Sequence, residues 1–286
     1  MRRCLSCQGS FPGPTWCCPA CGWTPDVVDG VPAFAPELAD QDAGFDPVDF
    51  ARLVEVEPGS FWFRARNDLI VELRAKHLPD VLTLLEIGCG TGYVLQALHG
   101  SGLEVTGTEL HPAGLAHARE RLGSADLLQA DGRRLPFDAH FDAVAAFDVL
   151  EHIEEDVTVL RELRRSVRPG GGLMITVPQH PRLWSVADAE ARHVRRYSRA
   201  ELRRKVVATG FAPMLITSFV SLLLPAMALS RMRLRRVPAS SGWSELGLPG
   251  VLDRALERVL ALERALIMRG VSLPVGGSLV LVARAV

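Results

Sequence analysis

Apolar positions along the chain change period several times, and each change marks an element. Residues 61–78 place Trp62, Ala65, Leu69, Ile70 and Leu73 at helical spacing. After Pro79 the run Thr83-Leu84-Leu85-Glu86-Ile87 is too short and too apolar for a surface helix, which predicts a buried parallel strand. It leads into the turn Gly88-Cys89-Gly90-Thr91-Gly92 and a helix-like segment from Tyr93 to Leu98. Further strands are predicted at Glu104–Thr108, ending in Glu109, and at Asp126–Ala130, ending in Asp131-Gly132. Phe141–Phe147 ends in Asp148, and Leu173–Val177 follows Arg168-Pro169-Gly170-Gly171-Gly172. Strands alternating with helices predict an α/β sheet, and four strands ending in glycine or acid put those residues on its carboxyl edge, where open sheets bind ligands. A glycine turn between strand and helix lets a ligand approach the backbone and the helix-start amides, although a plain turn has the same composition.

The C-terminal third is patterned differently. Ser198 with Glu201 has the form of a capping box, predicting a helix to about Thr209 before Gly210. Phe211–Ser230 is uncharged and is followed by Arg231, Arg233, Arg235 and Arg236. Its length would span a bilayer, but Pro213, Pro225, Thr217, Ser218 and Ser221 interrupt it. The expectation is therefore a sixth strand and a hydrophobic helix, with peripheral membrane contact through residues 211–236. Leu252, Ala255, Val259, Leu262 and Leu266 repeat at coiled-coil spacing, predicting a lid, a packing helix or a dimer seam. Gly277–Ala283 reads as the last strand, leaving 220–274 as a helical insertion that shapes an apolar acceptor site.

The N-terminus is set apart by its cysteines. Cys4-x-x-Cys7 and, ten residues later, Cys18-x-x-Cys21 form two tight turns, each aiming two thiolates at one ion. Cys17 could replace Cys18, but three residues intervene between it and Cys21 instead of two. No apolar stretch of secretory length precedes them, which predicts the cytoplasm, where clustered cysteines are metal ligands more often than disulfides. A structural zinc ribbon over residues 1–25 follows, with no open ligand position for chemistry. Residues 26–60, rich in Pro, Asp and Gly, read as a linker.

Composition removes some classes. With 48% hydrophobic and 23% charged residues the chain is globular, not disordered, and its 286 residues suffice for one large core and an appendage. A net charge of −1 supplies no field to steer it toward nucleic acid or an anionic membrane.

As an ordered set, Glu86-x-Gly88-x-Gly90-x-Gly92, Glu109, Asp131-Gly132, Phe147-Asp148 with Val149-Leu150-Glu151-His152, and Arg168-Pro169-Gly170-Gly171 resemble the motifs of Rossmann-like (class I) S-adenosylmethionine-dependent methyltransferases. A dinucleotide fold would need glycine where this chain has Tyr93. The resemblance covers roughly residues 61–220 and the last strand. It implies a seven-stranded sheet whose last strand is antiparallel, within a domain over 61–286. It further implies that Glu86 and the turn Gly88, Gly90 and Gly92 hold the methionine end of S-adenosylmethionine, that Glu109 takes the ribose hydroxyls, and that Asp131, with Gly132, meets the adenine. Phe147 and Asp148 would line the sulfonium. Either Glu109 or Asp131 taken alone is also placed to cap the helix after it, and Cys89 reads as a small packing residue.

On the acceptor side, His193-Val194-Arg195-Arg196-Tyr197 and Phe61–Asn67 resemble a bacterial subgroup of these enzymes in which the first helix covers the cofactor and the loop with His193 and Tyr197 closes the acceptor pocket. His152 and His193 are the candidate bases for a hydroxyl acceptor, having a reference pKa near 6.5; His152 could instead cap a helix. The expected activity is methylation of a small-molecule or lipid-linked acceptor. The alternative is an rRNA methyltransferase, because a zinc ribbon ahead of this core resembles one such group. Residues 192–205 also hold seven cations, Arg192, Arg195, Arg196, Arg199, Arg203, Arg204 and Lys205, against Glu201. The oligomeric state is open.

Overall fold

Alternation within the strands sets the layers of the molecule. In the computed structural model, which describes residues 1–39, 46, 48–123, 125–227 and 249–286, strand β5 (Thr83–Ile87) turns Leu84 to one face of the sheet and Leu85 and Ile87 to the other. Strand β8 (Phe141–Phe147) divides likewise, Ala143, Ala145 and Phe147 against Val144 and Ala146. Each face is closed by helices. On the first lie α2 (Phe61–His77), α3 (Tyr93–Gly100), α4 (Pro112–Leu122) and α8 (Gly250–Met268); on the second lie α5 (Asp156–Ser166) and α7 (Arg199–Ala208).

The remaining strands are β6 (Glu104–Glu109), β7 (Asp126–Gln129), β9 (Val167–Pro178), β10 (Phe211–Phe219) and β11 (Ser278–Ala285). With the hairpin β3 (Asp26–Val28) and β4 (Val31–Ala33) they form one sheet in the order β10-β11-β9-β8-β5-β6-β7-β4-β3. Strands β5, β6, β7, β8 and β9 are parallel, whereas β11 runs antiparallel to both β9 and β10. This is the expected α/β sheet with its last strand reversed, lengthened from seven strands to nine by residues read as linker.

That hairpin forms because Val27-Val28-Asp29-Gly30-Val31 is a two-residue turn between β-branched positions, with φ +50° at Asp29 and +76° at Gly30. Farther on, α1 (Asp49–Val56) places Phe50 against the core, so this segment is folded structure. The cysteine-bearing segment is docked too. Strand β1 (Arg2–Arg3) pairs with β2 (Ser10–Phe11), Arg3 N donates to Pro136 O at 2.9 Å, and Trp16 stacks edge-on against Phe34 with centroids 4.7 Å apart.

Two further expectations shift. The buried side of α8 is Asp253, Leu260, Glu263 and Ile267, while Leu252 and Leu262 are exposed, so the helix is rotated from its apolar stripe. Asp253 accepts from Phe61 N at 2.7 Å and pairs with Arg64, and Glu263 accepts from the Ser221 and Leu222 amides. The helix packs along α2 and makes no coiled-coil seam with it. At α7, Ser198 accepts from Glu201 N at 3.2 Å, but Glu201 reaches forward to Lys205 at 2.9 Å, giving half of the expected box. The reciprocal box instead starts α6 (Val186–Glu190), between Ser185 and Asp188. Phe211–Phe219 is the strand β10, and among the described residues no helix is long and apolar enough to cross a membrane. Arg231, Arg233, Arg235 and Arg236 lie outside the described residues, as does part of the expected insertion.

Candidate active site

The turn between β5 and α3 shapes the floor of the site. Gly88 has φ +60°, and a Cβ there would come within 2.6 Å of Val149 Cγ2. Gly92, at +76°, is the residue before α3, and its Cβ would lie 3.0 Å from Ala118 of α4. Gly88 and Gly90 face a cavity of about 1130 Å³ above the carboxyl edge, while Gly92 sits behind it and lets two helices close together. Glu86, Glu109, Asp131, Gly132, Phe147, Asp148, His152 and His193 line the same cavity.

The four carboxylates are held differently. Glu86 is buried and its Oε2 has no hydrogen-bond partner; burial pushes its pKa up to about 8, helped by Glu109 and opposed by Arg66. Glu109 accepts from Gly90 N at 3.0 Å, Leu110 N at 2.8 Å and His111 N at 3.1 Å, so it braces the glycine turn from β6 and the segment leading into α4, without capping that helix. Asp131 accepts from Arg133 N and pairs with that guanidinium at 2.9 Å. Asp148 sits at φ +56° and pairs with Arg66 Nη2 at 2.9 Å. Arg66 in turn lies 5.0 Å from the Trp62 ring, so α2 covers the cavity with an aromatic–cation pair.

Sequence reasoning missed part of this lining. Glu57 is a buried carboxylate at the wall, bonded by Thr91 Oγ1 at 2.7 Å and paired with Arg121 at 2.7 Å, with burial raising its pKa. It comes from the supposed linker, and nothing in its Pro-Gly surroundings signals the contact. Arg66 is one of many arginines and carries no local signature. The same cavity is also lined by the apolar Val220, Leu223, Met227, Leu252 and Leu256, all from the segment expected to be an insertion.

The acceptor-side residues separate. His152 and His193 come together, ring centroids 4.8 Å apart, and burial with the neighbouring His193 pushes His152 down to about 3. His193 Nδ1 lies 3.0 Å from Asp188 Oδ1. Tyr197 does not close the pocket: it is fully buried in the opposite core layer, donating to Asp156 Oδ2 at 2.6 Å. The arginine-rich run is largely engaged within the fold. Arg192 pairs with Asp46, Arg195 and Lys205 with Asp156, and Arg196 with Asp188, while Arg199 bonds Leu273 O.

At the N-terminus Cys4, Cys7, Cys18 and Cys21 bring their sulfurs within 4.8 Å of one another, while Cys17 is exposed and outside the group. The Cys4–Cys21 and Cys7–Cys18 sulfurs are 3.6 and 3.7 Å apart. A tetrahedron with metal–sulfur bonds of about 2.3 Å has edges of about 3.8 Å, so the four thiols fit one such ion.

Residues 85–175 match the methyltransferase-domain family model. A probable S-adenosylmethionine-dependent methyltransferase of Mycolicibacterium smegmatis is 30% identical over 155 residues, covering 53% of this chain and 60% of that one. A ubiquinone biosynthesis O-methyltransferase of Pseudomonas aeruginosa is 33% identical over 116 residues, 37% of this chain and 50% of its own. The match thus spans about half to three-fifths of these relatives' length. Among solved structures, a chain of the complex between the Haloferax volcanii Trm112 methyltransferase activator and its methyltransferase superposes with TM-score 0.52 at 21% identity, covering 84% of this chain and 93% of that one. A Thermotoga maritima S-adenosylmethionine-dependent methyltransferase gives 0.52 at 17% identity, covering 83% and 97%. Residues 85–175, from β5 into β9, are thus similar to a methyltransferase domain, and the sheet that holds them has the α/β fold of these solved structures.

Proposed function

We propose that the protein transfers a methyl group from S-adenosylmethionine to a small-molecule or lipid-linked acceptor, and that Cys4, Cys7, Cys18 and Cys21 hold one structural zinc ion. The observation that carries the reading is a single cavity lined both by the glycine turn with its carboxylates and by apolar residues of the 220–256 segment. The cofactor end fits its ligand: the partnerless Glu86 Oε2 is suited to an ammonium donor, and Gly88, with no Cβ, lets Val149 pack against the turn that lines the cavity. S-adenosylmethionine supplies an electrophilic methyl on a sulfonium.

The chain's residues bind and align. Glu86 and the turn Gly88–Gly90 take the amino-acid end, Glu109 the ribose, Asp131 and Gly132 the adenine, and Phe147 and Asp148 the region of the sulfonium. Trp62 and Arg66 on α2 exclude water from above, and the apolar wall orients the acceptor for in-line attack. Similarity of the core to ubiquinone biosynthesis O-methyltransferases favours an oxygen acceptor on an apolar molecule. With four cysteine ligands the zinc has no open position, so its work is to fold residues 1–25 and hold them on the 134–138 segment.

Calorimetry with S-adenosylmethionine tests the cofactor end, with submillimolar binding expected; no heat at millimolar ligand would overturn the reading. Transfer of labelled methyl into fractionated host extract identifies the acceptor, with label expected in the lipid or small-molecule fraction and a label confined to RNA counting against the proposal.

A further inference from the structure

The acceptor end of the cavity contains a donor set that methyl transfer does not require. Glu151, His152 and His193 each present one ligand atom, and the three atoms lie within 4.8 Å of one another. Glu151 is completely buried, yet neither of its carboxylate oxygens has a hydrogen-bond partner in another residue. The charges acting on it are those of Asp148, Arg66 and Arg196, none of which donates to it. A buried carboxylate left in this condition is costly, and a cation is one of the few groups that satisfies both oxygens at once.

The histidines are arranged to match. The Nδ1 of His193 is held by Asp188, leaving Nε2 as its free ligand atom. Asp188 is itself fixed by Ser185 N at 2.7 Å and Arg196 Nε at 2.6 Å. A carboxylate behind an imidazole is the arrangement that orients histidine ligands in metal sites and raises their basicity. The backbone ties the halves together, Val194 N donating to Glu151 O at 2.7 Å and His193 N to Asp188 O at 2.9 Å. All three ligand residues line the cavity, so a bound ion would keep positions open toward it.

We propose that Glu151, His152 and His193 form a binding site for a first-row divalent cation, such as Mn2+, Fe2+ or Zn2+, at the acceptor end of the cavity. Two imidazoles and a carboxylate suit these ions, and the set is too poor in oxygen for Ca2+. Ligands about 2.1 Å from an ion at tetrahedral angles lie about 3.4 Å apart, so a pair at the 4.8 Å limit closes by about 1.4 Å through side-chain rotation. The site's use rests on the functional reading above. A hydroxyl oxygen of the acceptor held by the ion gives up its proton to water more readily and then attacks the methyl carbon. The new bond is O–CH3; the S–CH3 bond breaks, and its electron pair stays on sulfur as a neutral thioether.

Mn2+ is the probe, because it favours oxygen and nitrogen donors over the N-terminal thiolates. Full-length protein, stripped with chelator and titrated with Mn2+, is followed by paramagnetic resonance, which counts bound ions and detects coupling to imidazole nitrogen. The expected result is one bound Mn2+ per chain with nitrogen coupling, weakened at least tenfold in Glu151→Gln and in His193→Ala, and to a smaller extent in Asp188→Asn. No bound Mn2+, or Mn2+ without nitrogen coupling in the wild type, overturns the site even if a variant fails to fold. So does undiminished binding in folded Glu151→Gln. S-adenosylhomocysteine calorimetry on the same samples separates the two readings: Mn2+ bound without the nucleoside leaves the metal site standing and removes the methyl-transfer use, and the reverse removes the metal site alone.

Discussion

Replacing Glu86 with glutamine tests the cofactor end of the cavity through the stability of the unliganded protein. The side chain is buried, and its carboxyl is held up to about 8 against an ordinary 4.5. The folded protein therefore binds this proton more tightly than the unfolded chain, so Glu86 costs nothing below about pH 4 and lowers stability progressively as pH rises toward 8. For these two pKa values the cost is about 0.8 kcal/mol at pH 5 and about 3.3 kcal/mol at pH 7, a change of about 2.5 kcal/mol. For a domain of this size that corresponds to about 5 °C in Tm. Glutamine has nearly the same shape and does not titrate. Its own burial adds an offset that is the same at every pH, so the difference in Tm between variant and wild type should grow by about 5 °C between pH 5 and 7. Differential scanning calorimetry of the unliganded proteins, with paired buffers at constant ionic strength, measures this. Parallel Tm profiles, differing by the same amount at both pH values, would refute the claim that an unpaired, desolvated carboxyl lies at the base of the site. The same substitution should weaken S-adenosylmethionine at least tenfold, because the charge intended for its ammonium is gone.

Other perturbations separate the supporting elements. Cys18→Ser should lose stoichiometric zinc by elemental analysis and alter the near-ultraviolet dichroism of Trp16 and Trp23, which pack at the ribbon–core junction; Cys17→Ser should do neither. Asp253→Ala removes the acceptor for Phe61 N and one of the two carboxylates on Arg64, which keeps Glu257, and should cost about 1–3 kcal/mol in denaturant melts while speeding hydrogen exchange across 250–268. Tyr197→Phe deletes one buried hydroxyl from an Asp156 that keeps Arg195 and Lys205, so about 1 kcal/mol of stability should go while turnover stays within twofold.

These perturbations divide according to what was readable before the structure. The strands and the turn were legible because burial on both faces of a parallel sheet forces short apolar runs, and ligand access at their carboxyl ends forces glycine or acid just beyond. Both constraints are local, which is why Glu109, Asp131 and Asp148 could be placed on one edge as strand ends, whereas Glu86, inside its strand, came only with the family resemblance. The hairpin at 26–33 was also locally encoded: Asp29-Gly30 between valines is a turn signal, obscured by the prolines around it. What was illegible depends on long-range pairing. The rotation of α8 follows from Asp253 and Glu263, which are buried because amides of α2 and of residues 221–222 need acceptors there. A periodicity argument counts both as solvent positions and so turns the helix the wrong way. Tyr197 was misplaced for a related reason: its hydroxyl has a buried acceptor in Asp156, 41 residues earlier, so an aromatic residue in a polar loop belongs to the core. Glu57 and Arg66 reach the cavity only because α1 and α2 fold over it, and a single sequence carries no pattern for a partner supplied by another element. A carboxylate here takes its role from the donors the fold brings to it: amides for Glu109, guanidinium for Asp148, and for Glu86 a donor that the protein itself withholds.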